Sequence, residues 1–419
     1  MDGMSETPEA PRRTLSPRAR WAVPGVVAAA VAAAIGVPAL ASADAAGLPD
    51  VTPAELLTRV AEAEPTPVQG TVVYTARLGL PELPVSEMTG ADPVALLGGS
   101  STLRLWSDGA DRSRVALLGA TSEYSVVRDG AEAWTYSSAD DAVTHYALDA
   151  ADQARYDALA AQLAAGAEPP AGADLPTPEQ AADQVLARAG EHSSVTVDQP
   201  TTVAGRDAYQ LVVSPTDEQT LVSRVVVAVD AETSAPLRVQ VWSTQDDAAP
   251  SLEVGFTDVE FTAPDDSVLA FSAPAGATTE EVVVPLPDVP AVPSGDGEHP
   301  ALPAGVTVTG EGWSTVVALS GVDVAGLVGG DAASLATVPG ADRVLGSDEA
   351  QDLVQEFVPT DEDGKVVRPE LDGAALYEQL TTEVPEGRLL SSTLLSVLVT
   401  DDGRVLAGAV PADVLRAAA

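Results

Sequence analysis

Through the middle of the chain, apolar and polar residues alternate with a period of two. The pattern is plainest in Ser-Thr-Leu-Arg-Leu-Trp at 101–106, Ser-Arg-Val-Ala-Leu at 113–117, Tyr-Ser-Val-Val at 124–127 and Glu-Ala-Trp-Thr-Tyr at 132–136. Asp108-Gly109 and Asp129-Gly130 interrupt the runs. Short alternating segments cut by glycine-containing turns predict successive antiparallel strands. In the first of them Leu103 and Leu105 point to one face, Arg104 and Trp106 to the other. Both faces carry bulky groups, so the aromatic face needs a cover: a helix, the far wall of a rolled sheet, or a ligand.

On either side of this block the period changes. Thr52-Pro53-Ala54-Glu55 is a helix start, with a threonine cap, proline at the first helical position and glutamate three beyond the cap. Leu56, Leu57 and Val60 then line one side until Pro65. A strand follows over Gly70–Leu78, then a long loop over Leu80–Gly99 that holds Pro81, Pro84 and Pro93. Alanine-rich 150–165 reads as helix, and Thr177-Pro178-Glu179-Gln180 repeats the helix-start pattern. Strand runs resume at 194–197, 208–213, 221–230, 237–242, 252–256 and 259–261, and Ala231 to Pro236 joins two of them as a hairpin. So many strands in one sheet predict curling, and helices over one side are the simplest cover. The expected fold is mainly β (α+β): a strongly curved antiparallel sheet, an unclosed barrel covered by helices, with a smaller C-terminal α+β region.

Prolines 287, 290, 293, 300 and 303 mark a linker. Beyond it, strand-like runs flank Trp313, helices are expected over 347–357 and 371–384, and Leu389–Val399 with Arg404–Val410 reads as a hairpin around Asp401-Asp402-Gly403. The N-terminal end is different again. Arg12, Arg13, Arg18 and Arg20 precede an uncharged run, 21–42, with Ala41-Ser42-Ala43 as a cleavage site. The run is either a cleaved signal peptide or an uncleaved membrane anchor, and both place the remainder outside the cytoplasm. The organisation read from sequence is a basic segment 1–20, an apolar segment 21–43, a sheet domain 48–282, a linker 283–303 and a C-terminal region 304–419.

Charge and chemistry narrow the function. With 63 acidic against 21 basic residues, the formal net charge is -42, which argues against a nucleic-acid partner. No cysteine is present, so thiolate chemistry, disulfides and a lipidated cysteine are excluded. His145, His192 and His299 have no metal-site spacing, and no Gly-x-Ser-x-Gly elbow occurs. The pairs Asp140-Asp141, Asp246-Asp247, Asp265-Asp266 and Asp401-Asp402 read as solvated turns, because neighbours on a strand point opposite ways. Asp361-x-Asp363-Gly364 is too short for a calcium loop. The reading is non-enzymatic, with no cofactor and no metal. Strand aromatics stand out in a chain with 4% aromatic residues: either they fill an ordinary core, or some of them line a cavity between sheet and helices able to hold an apolar chain. The expected lining is Leu103, Leu105, Trp106, Tyr124, Trp134 and Tyr136, with the loop 80–99 as a gate.

Three stretches carry a resemblance: Thr52-Pro-Ala-Glu-Leu-Leu followed by Val68-Gln-Gly-Thr-Val-Val-Tyr, Leu103-Arg-Leu-Trp with Asp108-Gly109, and Tyr124 through Tyr136. With the hairpin Val225 to Trp242 they resemble the LolA-like and RseB (MucB)-like lipoprotein-carrier superfamily of bacterial envelopes, over residues 50–280. The composition resembles that of actinobacterial envelope proteins. The resemblance implies a half-barrel with a helical lid around an acyl-chain cavity, lipid or an acylated lipoprotein as partner, and no catalysis. It also raises an alternative, an envelope sensor or regulator of RseB type that acts by contact with another envelope protein. The basic N-terminal extension and the region after 304 depart from the smaller carriers, so no residue of a cargo-transfer site is carried over.

Overall fold

In the computed structural model the described residues are 47–80, 91, 93–164, 186, 189–284, 302–329, 334, 337–339 and 373–419. The segments 1–20 and 21–42, most of the helix expected from 177, most of the linker, and the helix expected over 347–357 lie outside them.

Helix α1, Pro53–Glu62, begins on the expected capping box: Thr52 Oγ1 accepts from the Glu55 amide at 3.2 Å, and Glu55 Oε2 accepts from the Thr52 amide at 2.7 Å. Strand β1, Val68–Ala76, comes next. It is followed by a meander of β2 Gly99–Ser107, β3 Arg112–Leu118, β4 Glu123–Asp129, β5 Glu132–Ser137 and β6 Ala142–Ala147. Helix α2, Ala150–Ala164, separates it from a second meander: β7 Ser193–Val203, β8 Arg206–Pro215, β9 Val222–Asp230, β10 Pro236–Ser243 and β11 Leu252–Glu260. The chain then passes through a short helix, α3 Asp266–Leu269, to β12 Thr278–Val283.

These strands form one sheet in the order β12-β6-β5-β4-β3-β2-β1-β11-β10-β9-β8-β7. Every pairing is antiparallel except β12 with β6, which is parallel. The ends β12 and β7 do not pair, so the sheet curves without closing into a barrel. β1 sits in the middle, between a partner that follows it directly and another about 190 residues later, with Gln69 opposite Glu260. Gly70 faces a bulge in β11, and a Cβ there would collide with the Asp258 carbonyl oxygen. Side chains at the ends of β7 to β11 form a core of Val203, Ala208, Ala228 and Leu237, with Phe256, Val259 and Phe261 against it.

A second sheet has the order β13-β14-β18-β17-β16-β15, built from β13 Val306–Thr309, β14 Val316–Ser320, β15 Thr382–Val384, β16 Gly387–Ser391, β17 Ser396–Thr400 and β18 Arg404–Gly408. Helix α6, Ala412–Ala417, follows two others, α4 Val324–Gly329 and α5 Gly373–Leu380. Val316, Leu398, Leu406, Val410 and Leu415 make the core. Two expectations need correction. The run Leu389–Val399 is two strands, because Ser392 Oγ accepts from the amides of Leu394 and Leu395 and turns the chain between them. The helix expected over 371–384 stops at Leu380, and its last residues are β15.

The two sheets belong to one unit, Leu48–Ala419. The seam includes main-chain hydrogen bonds: the Leu221 amide donates to Ala409 O at 2.7 Å, and the Thr393 amide to Leu78 O at 2.8 Å. Ser243 Oγ donates to Thr393 O at 2.7 Å, and Trp313 Nε1 to Ser193 Oγ at 2.8 Å.

Candidate functional site

Residues directly opposite on neighbouring strands share a face of the sheet. Leu103 stands between Val72 and Leu117, and Leu117 is opposite Tyr124. Leu105 is opposite Val115, which is opposite Val126. On β1, Tyr74 shares the face of Val72 and leads across to Val254, Val239, Val227, Leu211 and Val197. This apolar face runs the width of the sheet. At one side α1 covers it: Leu56, 1% exposed, packs with Tyr209, Leu211 and Val229. The Tyr209 hydroxyl donates to Pro49 O at 3.2 Å, which fastens the chain just before the helix.

Across β2 to β5 the same face is less covered. Leu103, Leu105 and Tyr124 are half-buried, and Val126 is 40% exposed. Burial raises the Tyr74 phenol above its usual value, and it raises the Glu280 carboxyl, which lies on this face opposite Thr144. Neither residue was singled out from the sequence: Tyr74 reads as an ordinary strand residue, and Thr-Thr-Glu-Glu-Val-Val at 278–283 gives no sign of a parallel edge strand.

The opposite face carries the other three expected residues. A row runs Trp106, Arg114, Val127, Trp134, His145, and the next row runs Arg104, Ala116, Ser125, Tyr136, Val143. Trp134 stacks on His145 with ring centres 4.9 Å apart and on Phe271 at 5.6 Å. Arg104 and Arg114 lie 5.0 and 5.9 Å from the centre of the Trp106 ring. The connection from β11 to β12 crosses here: Leu269 of α3 is fully buried, and Arg112 pairs with Asp266 at 2.9 Å. The six expected lining residues divide by alternation, Leu103, Leu105 and Tyr124 to the α1-bearing face and Trp106, Trp134 and Tyr136 to the other.

A separate surface cleft of about 460 Å³ lies between the end of α1 and the β9–β10 turn. Arg59, Glu62, Glu64, Thr66, Glu232 and Thr233 are among its lining, a polar set unsuited to an acyl chain. Among the described residues no cluster of His, Asp or Glu is arranged to hold a metal ion. Nor is any described helix long and apolar enough to cross a membrane.

No protein-family profile matches this chain, and neither does any curated protein. Solved structures do. The complex of MucA and MucB from Pseudomonas aeruginosa is 18% identical, with 87% of this chain and 96% of that chain covered and a TM-score of 0.38. A LolA superfamily protein from Nitrosomonas europaea is 12% identical over 53% of this chain and 99% of its own, with a TM-score of 0.19. A putative outer membrane lipoprotein-sorting protein domain from Vibrio parahaemolyticus is 12% identical over 52% and 97%, with a TM-score of 0.21. The names are those of the resemblance in the sequence, and the TM-scores leave the likeness coarse.

Proposed function

We propose that this chain is a non-enzymatic, extracytoplasmic binding or carrier protein that shelters lipid or lipoprotein acyl chains between its curved sheet and its helices. The observation that carries the reading is the continuity of the α1-bearing face. The apolar rows that Leu56 covers at β8 and β9 extend to β2, β3 and β4, where Leu103, Leu105 and Tyr124 are half-buried and Val126 is open to solvent. An alkyl chain laid there would remove apolar surface from water at about 25 cal/mol per Å². In this reading residues 21–42 export the chain, as a cleaved signal or as an anchor, and Leu103, Leu105 and Tyr124 contact the ligand. Trp106, Trp134 and Tyr136 support the sheet from behind.

The test is native mass spectrometry with organic extraction on Leu48–Ala419, purified from a bacterial host without detergent. The expected result is a co-purified lipid or acylated species that Val126→Asp reduces, because a carboxylate on that face must be dehydrated to accept an alkyl chain. A ligand-free mass that stays unchanged after incubation with lipids and acylated peptides overturns the carrier reading. The regulatory alternative, which acts through contact with an envelope protein, would then take its place.

A further inference from the structure

One row of the α1-bearing face changes from apolar to polar along its length. Leu105, Val115 and Val126 stand opposite one another on β2, β3 and β4, and the row continues through Thr135 of β5 and Thr144 of β6 to Glu280 of β12, the end strand of the sheet. At the usual strand spacing Leu105 and Glu280 are about 24 Å apart. That is close to one leaflet of a bilayer with its headgroup, about 20–22 Å.

Thr135, Thr144 and Glu280 are half-buried, and their side chains have no hydrogen-bond or ion-pair partner among the described residues. They are still open to a ligand: the sealed, unpartnered side-chain atoms of the described residues belong to Arg114, Ser125, His145, Ser223 and Trp242. Glu280 stands apart from the other carboxyls that the fold shifts. Glu55, Asp108, Asp217, Asp230, Glu386 and Asp402 each accept a hydrogen bond and each moves down. Glu280 moves up, and burial is the cause. On this face β5, β6 and β12 otherwise present alanine, serine, threonine, tyrosine and valine, so Glu280 is the single carboxylate there. Glu281, the next residue of β12, is exposed on the other face opposite His145.

Resting on the carrier reading, we propose that Glu280 and Thr144 form the headgroup end of the lipid site and select an amphiphile with a primary ammonium head, its alkyl chain laid over Val126, Val115 and Leu105. A half-buried carboxylate without a donor is short of both counter-charge and hydrogen bonds. An ammonium supplies a positive charge and N–H donors for the carboxylate and the Thr144 hydroxyl together. Tyr146, the next residue of β6 on this face, adds a ring of the kind that attracts cations. Thr135 falls between head and tail, where an amphiphile changes from polar to apolar. An anionic head would meet Glu280 as a like charge, on a chain whose net charge is already -42.

The experiment is isothermal titration calorimetry on the full chain with decylamine, decanol and decanoate, which share one tail length, below the concentrations at which they form micelles. Decylamine is expected to bind with one-to-one stoichiometry and about tenfold more tightly than decanol, with decanoate weakest. Glu280→Gln should bring decylamine to the affinity of decanol, and Thr144→Val should remove part of the difference. Glu281→Gln takes the same charge from the other face of the same strand and should leave the amine preference intact, which separates a site from general attraction to an acidic surface. Equal affinities for decylamine and decanol, an amine preference that survives Glu280→Gln, or one lost equally in Glu281→Gln, overturn the headgroup assignment and leave the carrier reading standing. Binding of none of the three overturns both.

Discussion

Asp230 is the charged side chain most deeply enclosed in the large sheet, and its surroundings act on it in opposite directions. Burial pushes its carboxyl up, while Arg206, at 2.8 and 2.7 Å, and Thr233, through backbone and side chain, bring it below the usual range. The folded-state value is thus lower than the unfolded one. The stabilisation from this residue is present above about pH 4 and is lost as the pH falls through the folded value. Urea melts between pH 3 and 7 should show a smaller loss in Asp230→Asn than in the wild type, the remainder coming from other lowered carboxyls such as Asp108 and Asp217. Asp230→Ala should cost about 3–5 kcal/mol, since Arg206 keeps a partly buried charge whose one remaining carboxylate partner is the exposed Glu232. At Ala204 the expected change has the opposite sign. Ala204 and Gly205 form the two-residue turn between β7 and β8, with φ of +51° and +77°, and alanine is strained there where asparagine and glycine are not. Ala204→Asn should stabilise by about 0.5–1 kcal/mol, and an unchanged melting temperature would refute this account of the turn.

For single elements, what the sequence could show depended on whether the signal was local. Thr52 to Glu55 specify α1 because a capping box needs only four residues, and the structure has it. The β9–β10 hairpin was legible too, since Ala231 to Pro236 separates two valine-rich runs. β12 was not, because what makes it a strand is β6, more than 130 residues earlier and parallel. The candidate site was half legible. Alternation at 103–106 already placed Leu105 and Trp106 on opposite faces, yet the aromatic content of β2, β4 and β5 drew residues of both faces into one expected lining. Which face a helix covers is decided by Leu56 against Tyr209 and Leu211, a contact across more than 150 residues. α1 is therefore an element whose loss should be felt widely. Leu56→Ala should destabilise by about 2–5 kcal/mol, and Thr52→Ala by about 1 kcal/mol through the cap alone. Equal effects of the two in chemical denaturation would contradict this division between core and cap.

At the scale of the whole molecule, the linker composition around 285–303 suggests two independent bodies, but the sheets share a seam that includes main-chain hydrogen bonds. Calorimetry of Leu48–Ala419 should show one transition, and two resolved peaks would count against a cooperative seam. The transition should move to higher temperature as salt is raised from low to physiological strength, because a net charge of -42 repels itself. The place of β1 in the strand order has a consequence in time. Synthesis runs from the N-terminus, so β1 can pair with β2 within about 40 residues but waits until β11 has emerged to cover its other edge. During that interval Val72 and Tyr74 border an open strand edge, the kind of surface that pairs wrongly between chains. Folding should therefore be slow and non-local, and the nascent chain has most need of a chaperone between the completion of β2 and the arrival of β11.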